Sequence, residues 1–299
     1  MDISSIMKIL ITGHKGFVGR YFYDELCFRG HNVIGIDAID GISCEDFFKK
    51  NNEVFDYVFH FACYVEPGIS VKNIKTSNVS YDIVLDSLLF SWVLRTGQKN
   101  LIYFSSSSVY PVCLQNDPEY RLKESDVDCN FEVIRKPDNI YGWTKLTGEY
   151  FLKYLRDNGV NTFVFRPFSI YGEDQNSNFI FKVLLDAVFR KDENIYIWGD
   201  GNQTRDFIYI KDVVGAVLKV LDIGCDTPLN LGTGISTSIN VMLEIMLEEA
   251  DWKPKKIIHL LDKKIGEKYR CADISMIERF YKIQYSIRYV IKNILIRRK

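Results

Sequence analysis

Residues 11–20 read ITGHKGFVGR, with glycines at Gly13, Gly16 and Gly19 following the short strand-like run KILIT. The next segment, FVGRYFYDELCFRG, carries Val18, Phe22 and Leu26 at i, i+4 and i+8, the spacing of an amphipathic helix, and Gly30 stops it. The stretch therefore predicts a short buried strand, a glycine turn and a helix. Glycine allows a tight turn there and lets N–H groups at the helix N-terminus approach a pyrophosphate. The spacing is G-x-x-G-x-x-G, one residue longer than the usual dinucleotide fingerprint.

The following apolar run, HNVIGID, ends at Asp37. A carboxylate at that strand end can accept from both ribose hydroxyls of an adenosine and repels a 2′-phosphate. No arginine follows it, so the pattern favours NAD over NADP. The plainer reading of Asp37 is a turn residue.

Further on, FDYVFHFA and NLIYFSSS read as strands with helical stretches between them. YGWTKLTGEYFLKYLRDNG reads as a helix and NTFVFRPF as another strand. Alternation of this kind implies parallel strands with crossover helices, an α/β Rossmann-type doubly wound sheet. After Phe168 the pattern loosens into loop-rich segments. FIYIKDVVGAVLKVLD then reads as a strand and a helix capped by Asp212, and TPLNLGTG as one more strand. The expected organisation is a nucleotide-binding part over 1–168, to which 205–236 returns, and a smaller interleaved substrate part over 169–204 and 237–299.

The chain of 299 residues has 47% hydrophobic and 26% charged residues and a net charge of −1. That balance gives no electrostatic reason to expect a nucleic acid or a membrane surface as partner. MDISSIMKILITG lacks the basic start and long apolar run of a secretory signal. Seven cysteines, at 27, 44, 63, 113, 129, 225 and 271, include no C-x-x-C pair. They read as small buried hydrophobes in a reducing cytoplasm, not as a disulfide or metal framework. The basic tail SIRYVIKNILIRRK has apolar residues at helical spacing. It reads as a last helix with a solvated basic end, the alternative being a helix lying on an anionic membrane.

In NIYGWTKLTGEY, Tyr141 and Lys145 stand four apart, on one face of a helix. A free tyrosine is a poor base, with a pKa about 10. A neighbouring ammonium stabilises the phenolate, making it a general base that takes a proton from a substrate hydroxyl while NAD⁺ takes the hydride. Y-x-x-x-K alone is common. Its weight comes from following the glycine turn, Asp37 and a serine-ended strand in that order.

Taken together, ITGHKGFVG, VFHFA, FSSSSVY, YGWTKLTGE, RPFSIYG, GDGNQTRDFIYIKDV, NLGTG and ADIS are highly specific. On them the chain resembles the extended short-chain dehydrogenase/reductase family, in particular its nucleotide-sugar epimerases and dehydratases. The resemblance implies bound NAD, a nucleotide-diphosphate sugar as substrate and a homodimer formed through the helix of Tyr141. It implies a catalytic serine three residues before Val109, which is Ser106, while Ser105 reads as a strand-end serine bonding backbone groups. It assigns Phe17, Val18, Ala62, Tyr141 and Lys145 to the cofactor along with Gly13, Gly16, Gly19 and Asp37. Arg205 becomes a diphosphate clamp, the alternative being a salt bridge to Asp206. Asn178 becomes a contact to the sugar diphosphate and Glu267 a holder of the nucleotide ribose. His60 takes a structural place beside the cofactor.

The chain also departs from the family. The segment from Asp37 to Phe55 is short and irregular, and Asp46 is the available candidate for the family's adenine-contacting acid. Tyr64 and Val65 stand where galactose-type epimerases often carry a lysine, and Pro111 stands where glycine usually follows Val-Tyr. Related dehydratases place an Asp–Glu pair directly after the catalytic serine or threonine. Here those positions are Ser107 and Ser108, which disfavours 4,6-dehydration. The leading expectation is a 4-epimerase working by transient C4 oxidation. A 4-reductase or 4-dehydrogenase shares the same residues, and a non-catalytic NAD-binding sensor on the same fold comes last because both Tyr141 and Lys145 are present.

Overall fold

The computed structural model describes residues 5–63, 76–128, 130, 132–225 and 227–298. Tyr64, Val65 and Cys129 lie outside them. The first half alternates as the sequence pattern predicts: β1 (Lys8–Thr12), α1 (Phe17–Phe28), β2 (Asn32–Ile36), α2 (Cys44–Lys50), β3 (Tyr57–His60), α3 (Thr76–Thr96), β4 (Asn100–Phe104), α4 (Ile140–Asp157) and β5 (Asn161–Pro167). The second half adds β6 (Ser169–Tyr171), α5 (Ile180–Arg190), β7 (Asn194–Trp198), β8 (Thr204–Tyr209), α6 (Ile210–Ile223), β9 (Leu229–Leu231), β10 (Ser236–Ser238), α7 (Ile239–Ala250), β11 (Lys256–Leu260), β12 (Tyr269–Arg270) and α8 (Ile287–Arg298).

Six parallel strands make the main sheet in the order β2-β1-β3-β4-β5-β9. Side chains alternate across it, so Ile9 and Ile11 enter one apolar layer with α1 and α6, while Leu10 enters the other with α2 and α3. Strand order reverses at β1 and β3, and the carboxyl ends of strands at such a switch point are where open α/β sheets bind ligands. A second sheet runs β10-β8-β12, with β6 also on β8, and β7 pairs with β11. Residues 204–209 thus belong to the small sheet and 229–231 to the large one.

Three local readings change. The segment after Asp37 is ordered: a 3₁₀ turn over Ala38–Asp40 leads to α2, whose N-cap Ser43 accepts from the Asp46 N–H, and whose Cys44 and Phe48 are buried. Seven helical residues are too few for a periodic pattern to register. Asp212 does not cap α6, because the cap position is Tyr209. It lies fully buried in the first turn and accepts from the Tyr281 hydroxyl (2.9 Å) and from the N–H groups of Gln284 (2.9 Å) and Tyr285 (3.1 Å). It thereby ties the C-terminal segment to the core. The six described cysteines are free, but Cys27 and Cys113 are exposed and only Cys44 and Cys271 are buried.

The basic tail forms α8. It buries Val290, Ile291, Ile294 and Leu295, packs on α7, and pairs Arg288 with Glu248 and Glu249. Its apolar face is used inside the fold, as the plainer reading held. Among the described residues, no helix is long and apolar enough to cross a membrane.

Candidate active site

The glycine turn is built for close approach. Gly13 has φ +71°, and a Cβ there would meet the Ala62 backbone nitrogen at 2.8 Å. A Cβ on Gly19 would meet the Gly13 carbonyl oxygen at 2.1 Å. Helix α1 therefore starts hard against the β1–β3 switch point. Its cap residue is Gly16, with no side-chain cap bond and no acid in the first turn, so the N-terminus through Phe17, Val18 and Gly19 keeps its positive end. Asp37 is held beside it by the N–H groups of Ile39 (3.0 Å) and Lys15 (3.1 Å) on its two oxygens. An uncapped helix start, a cradle with no room for side chains and a fixed carboxylate fit a dinucleotide. Asp40, unremarked in the sequence, sits over this turn, 3.2 Å from His14 and 3.8 Å from Lys15. Asp46 is exposed and ion-paired to Lys50.

The serine run follows β4. Ser105 is buried and donates to Glu149, which also takes a bidentate pair of bonds from the buried Arg166. Its hydroxyl is thus spent on a side chain that anchors α4. Ser106 is half-buried, and its oxygen accepts from the Ser108 N–H (3.0 Å), which leaves its proton free to donate. Helix α4 packs directly on this turn because Gly142 has no side chain: a Cβ there would lie 2.2 Å from the Ser108 carbonyl oxygen. Asn139 caps the helix by accepting from the Gly142 N–H (2.9 Å). Tyr141 and Lys145 follow on one face, with the Lys145 ammonium 5.9 Å from the Tyr141 ring centroid. Lys145 is only 2% exposed, a high cost for an ammonium unless it is paired.

Its surroundings explain the burial. The Lys145 ammonium stands 4.6 Å from the Tyr103 ring centroid. Tyr103 donates to Asp86 (2.6 Å), and a Cβ on Gly148 would collide with that hydroxyl. Asp86 lies 3.2 Å from His60 Nε2, and His60 Nδ1 meets Thr12 Oγ1 at 2.9 Å. Burial lowers the His60 pKa, so it stays neutral and structural. Burial also lowers that of Lys145, but the acidic groups of Cys63, Asp86, Asp82 and Glu149 outweigh it and hold the ammonium firmly charged. The expected lowering of Tyr141 is reversed in the protein by itself. Burial, Cys63, Asp82 and Asp86 push its phenol well above the ordinary value.

A second cluster lies on the small sheet. Arg205 and Arg270 are in register on β8 and β12. Arg205 donates to the Thr204 and Ile265 carbonyls, and burial followed by the like charge of Arg270 brings its pKa down to about 10. It makes no pair with Asp206, whose buried carboxylate instead takes bonds from Thr233, Gly234 and Ala272. Arg270 pairs with Asp138 (2.6 Å) and donates to Gln115 (2.7 Å) and to Ser108 (3.4 Å). Burial and then the neighbouring Asp138 carboxylate raise Glu267. Two guanidinia thus stand in register beside the serine turn, and their planar donors are of the kind that suits an anion. Asn178 lies in an exposed turn just before α5. Arg270 was missed in the sequence. Its only signal was its place just before the ADIS segment.

A family model, the NAD dependent epimerase/dehydratase family, matches residues 9–232. The chain belongs to this family. It is an NAD-dependent family, and the chain's relatives include nucleotide-sugar epimerases and reductases. GDP-mannose 3,5-epimerase 1 of Oryza sativa subsp. indica is 28% identical over 92% of this chain and 76% of its own. A Streptomyces dTDP-4-dehydro-6-deoxy-D-allose reductase is 26% identical over 89% and 88%. In fold, the chain is similar to the UDP-glucose 4-epimerase of Thermotoga maritima solved with UDP-glucose, with a TM-score of 0.83 at 23% identity over 97% of both chains.

Proposed function

We propose that this protein is a nucleotide-sugar 4-epimerase acting by transient oxidation at C4. Bound NAD would take the C4 hydride and return it to the same carbon. Tyr141 takes the O4 proton as general base, Lys145 supplies positive charge to the phenolate, and Ser106 donates to the reacting oxygen. The sugar then presents its other face, and Tyr141 returns the proton to O4 as the hydride comes back. Arg205, with Arg270 beside it, clamps the diphosphate. Glu267 and Asn178 serve the nucleotide end. Gly13, Gly16, Phe17, Val18, Gly19, Asp37 and Ala62 hold the cofactor.

The observation that carries this choice is the serine turn. Ser106 is followed by Ser107 and Ser108, so those two positions offer no carboxyl group to remove a C5 proton or to protonate a leaving C6 hydroxyl. Epimerisation needs neither. A 4-reductase is the second reading, favoured by the Streptomyces relative.

The exposed apolar residues of α3 and α4, among them Ile83, Val84, Trp143 and Tyr154, support a homodimer through these helices. The six described cysteines, all free, suit a reducing cytoplasm. A panel of UDP-, GDP-, CDP- and dTDP-sugars followed by NMR tests the reaction. Interconversion of C4 epimers without net absorbance change at 340 nm is expected. Stoichiometric change at 340 nm would replace the epimerase by the reductase.

A further inference from the structure

Two charged groups at the glycine turn, Lys15 and Asp40, have no part in the mechanism above. The Lys15 N–H donates to the Asp37 carboxylate at 3.1 Å, so this lysine stands directly beside the acid assigned to the adenosine ribose. Its side chain is exposed, with the ammonium 3.8 Å from Asp40. A lysine there has the wrong charge for rejecting a 2′-phosphate, because an ammonium is a natural partner for phosphate oxygens. The turn thus carries opposed signals: Asp37 repels such a phosphate and Lys15 attracts it.

Asp40 is held in place beside that lysine. Gly35, inside β2, makes the room: a Cβ there would lie 2.4 Å from the His14 ring. His14 fills the space the strand leaves, 8% exposed, with its ring 5.2 Å from that of Tyr23 between centroids. Its Nδ1 is buried and makes no hydrogen bond among the described residues, while its Nε2 faces Asp40 at 3.2 Å. A neutral ring so placed donates through Nε2, and a protonated one does the same. The 3₁₀ turn fixes the backbone as well, since the Asp40 N–H donates to the Asp37 carbonyl (3.1 Å).

We propose that Asp40 is a positioning residue for cofactor choice: presented by His14, it engages the Lys15 ammonium and so denies that cation to a 2′-phosphate. This rests on the placement of the adenosine ribose at Asp37 and adds a second, separate barrier to NADP. Asp37 repels the phosphate directly, whereas Asp40 competes for its counter-charge. An exposed lysine–carboxylate pair adds little to stability. Its effect on a phosphate arriving at the same ammonium is nevertheless that of a full unit charge at short range. NAD carries no 2′-phosphate and does not meet this competition.

The experiment measures dissociation constants of NAD⁺ and NADP⁺ by calorimetric titration for wild type, Asp40→Asn, Lys15→Ala and the double variant. Asp40→Asn should lower the ratio of the NADP⁺ constant to the NAD⁺ constant by about tenfold. In the Lys15→Ala background the same substitution should lower it by less than about threefold, because the two side chains act as a pair. A merely structural role for Asp40 would weaken both cofactors together and leave the ratio in place. An unchanged ratio, or an equal drop with Lys15 already removed, overturns the proposal. Asp37→Ser separates the two layers of the argument. If it lowers the ratio where Asp40→Asn does not, the proposal falls alone. If it leaves the ratio unchanged, the ribose does not lie at Asp37, and the cofactor placement falls with the proposal.

Discussion

At the scale of single residues, the centre of the site is a tyrosine whose environment opposes its task. Burial, Cys63 and two aspartates hold the Tyr141 phenol up, and Lys145 is the cation that counters them. Positive charge brought beside it by a bound cofactor would lower that phenol towards use as a base. Tyr141→Phe removes the ionisable oxygen and leaves the ring packing. Turnover should fall between about 10²- and 10⁴-fold, the usual range for loss of a general base. Binding of NAD, measured by fluorescence titration, should stay within a few-fold of wild type. Retained turnover would remove Tyr141 from the mechanism.

Much of this site could be read in the sequence. Gly13, Gly19 and Asp37 stand where motif spacing put them, and Tyr141 and Lys145 share a face because four residues make one turn. What could not be read depends on contacts between distant segments. Arg270 matters because β12 sets it in register with Arg205, 65 positions earlier in the chain. Asp212 reads as a cap from local pattern, yet its partners are Tyr281, Gln284 and Tyr285. Asp82 and Asp86 did leave a signal: they interrupt the apolar stripe that Leu85, Leu89 and Val93 continue.

At the scale of elements, the serine turn and α4 work as one unit because two glycines let them meet. Gly142 admits the Ser108 carbonyl and Gly148 admits the Tyr103 hydroxyl. Gly142→Ala places a methyl group against backbone, which cannot rotate away. The helix must lift from the turn that carries Ser106. A loss of about 1–3 kcal/mol in stability is expected by denaturant titration, the usual range for overpacking. The loss in kcat should exceed that of an exposed control such as Thr147→Ala. Equal kcat in both would mean that the closeness of turn and helix is not needed for catalysis. The alternation of strands and helices was legible because short apolar runs alternate with longer helical stretches. The seven-residue α2 was not, and β12, only two residues long, exists through its pairing with β8.

At the scale of the whole molecule, the main sheet is covered on both faces, yet one covering layer is itself apolar outside. Helices α3 and α4 pack side by side and expose Ile83, Val84, Leu94, Trp143, Phe151 and Tyr154, each at least 40% accessible. Single exposed apolar side chains are ordinary, but six on two helices that pack together are what a contact surface would present. The two helices also carry Asp82, Asp86, Tyr141 and Lys145 on their inner faces, so a partner on the outside would stiffen the layer that holds the site. A dimer formed there needs about 1,200–2,000 Å² of buried surface, within reach of two long helices from each copy. Trp143→Glu combined with Tyr154→Glu puts charge at two turns of α4 without touching the buried face. Size-exclusion chromatography with light scattering should give twice the monomer mass for wild type and the monomer mass for the double variant. Thermal unfolding of the variant should lose its dependence on protein concentration. A wild type already monomeric at micromolar concentration would assign the α3–α4 face to another partner.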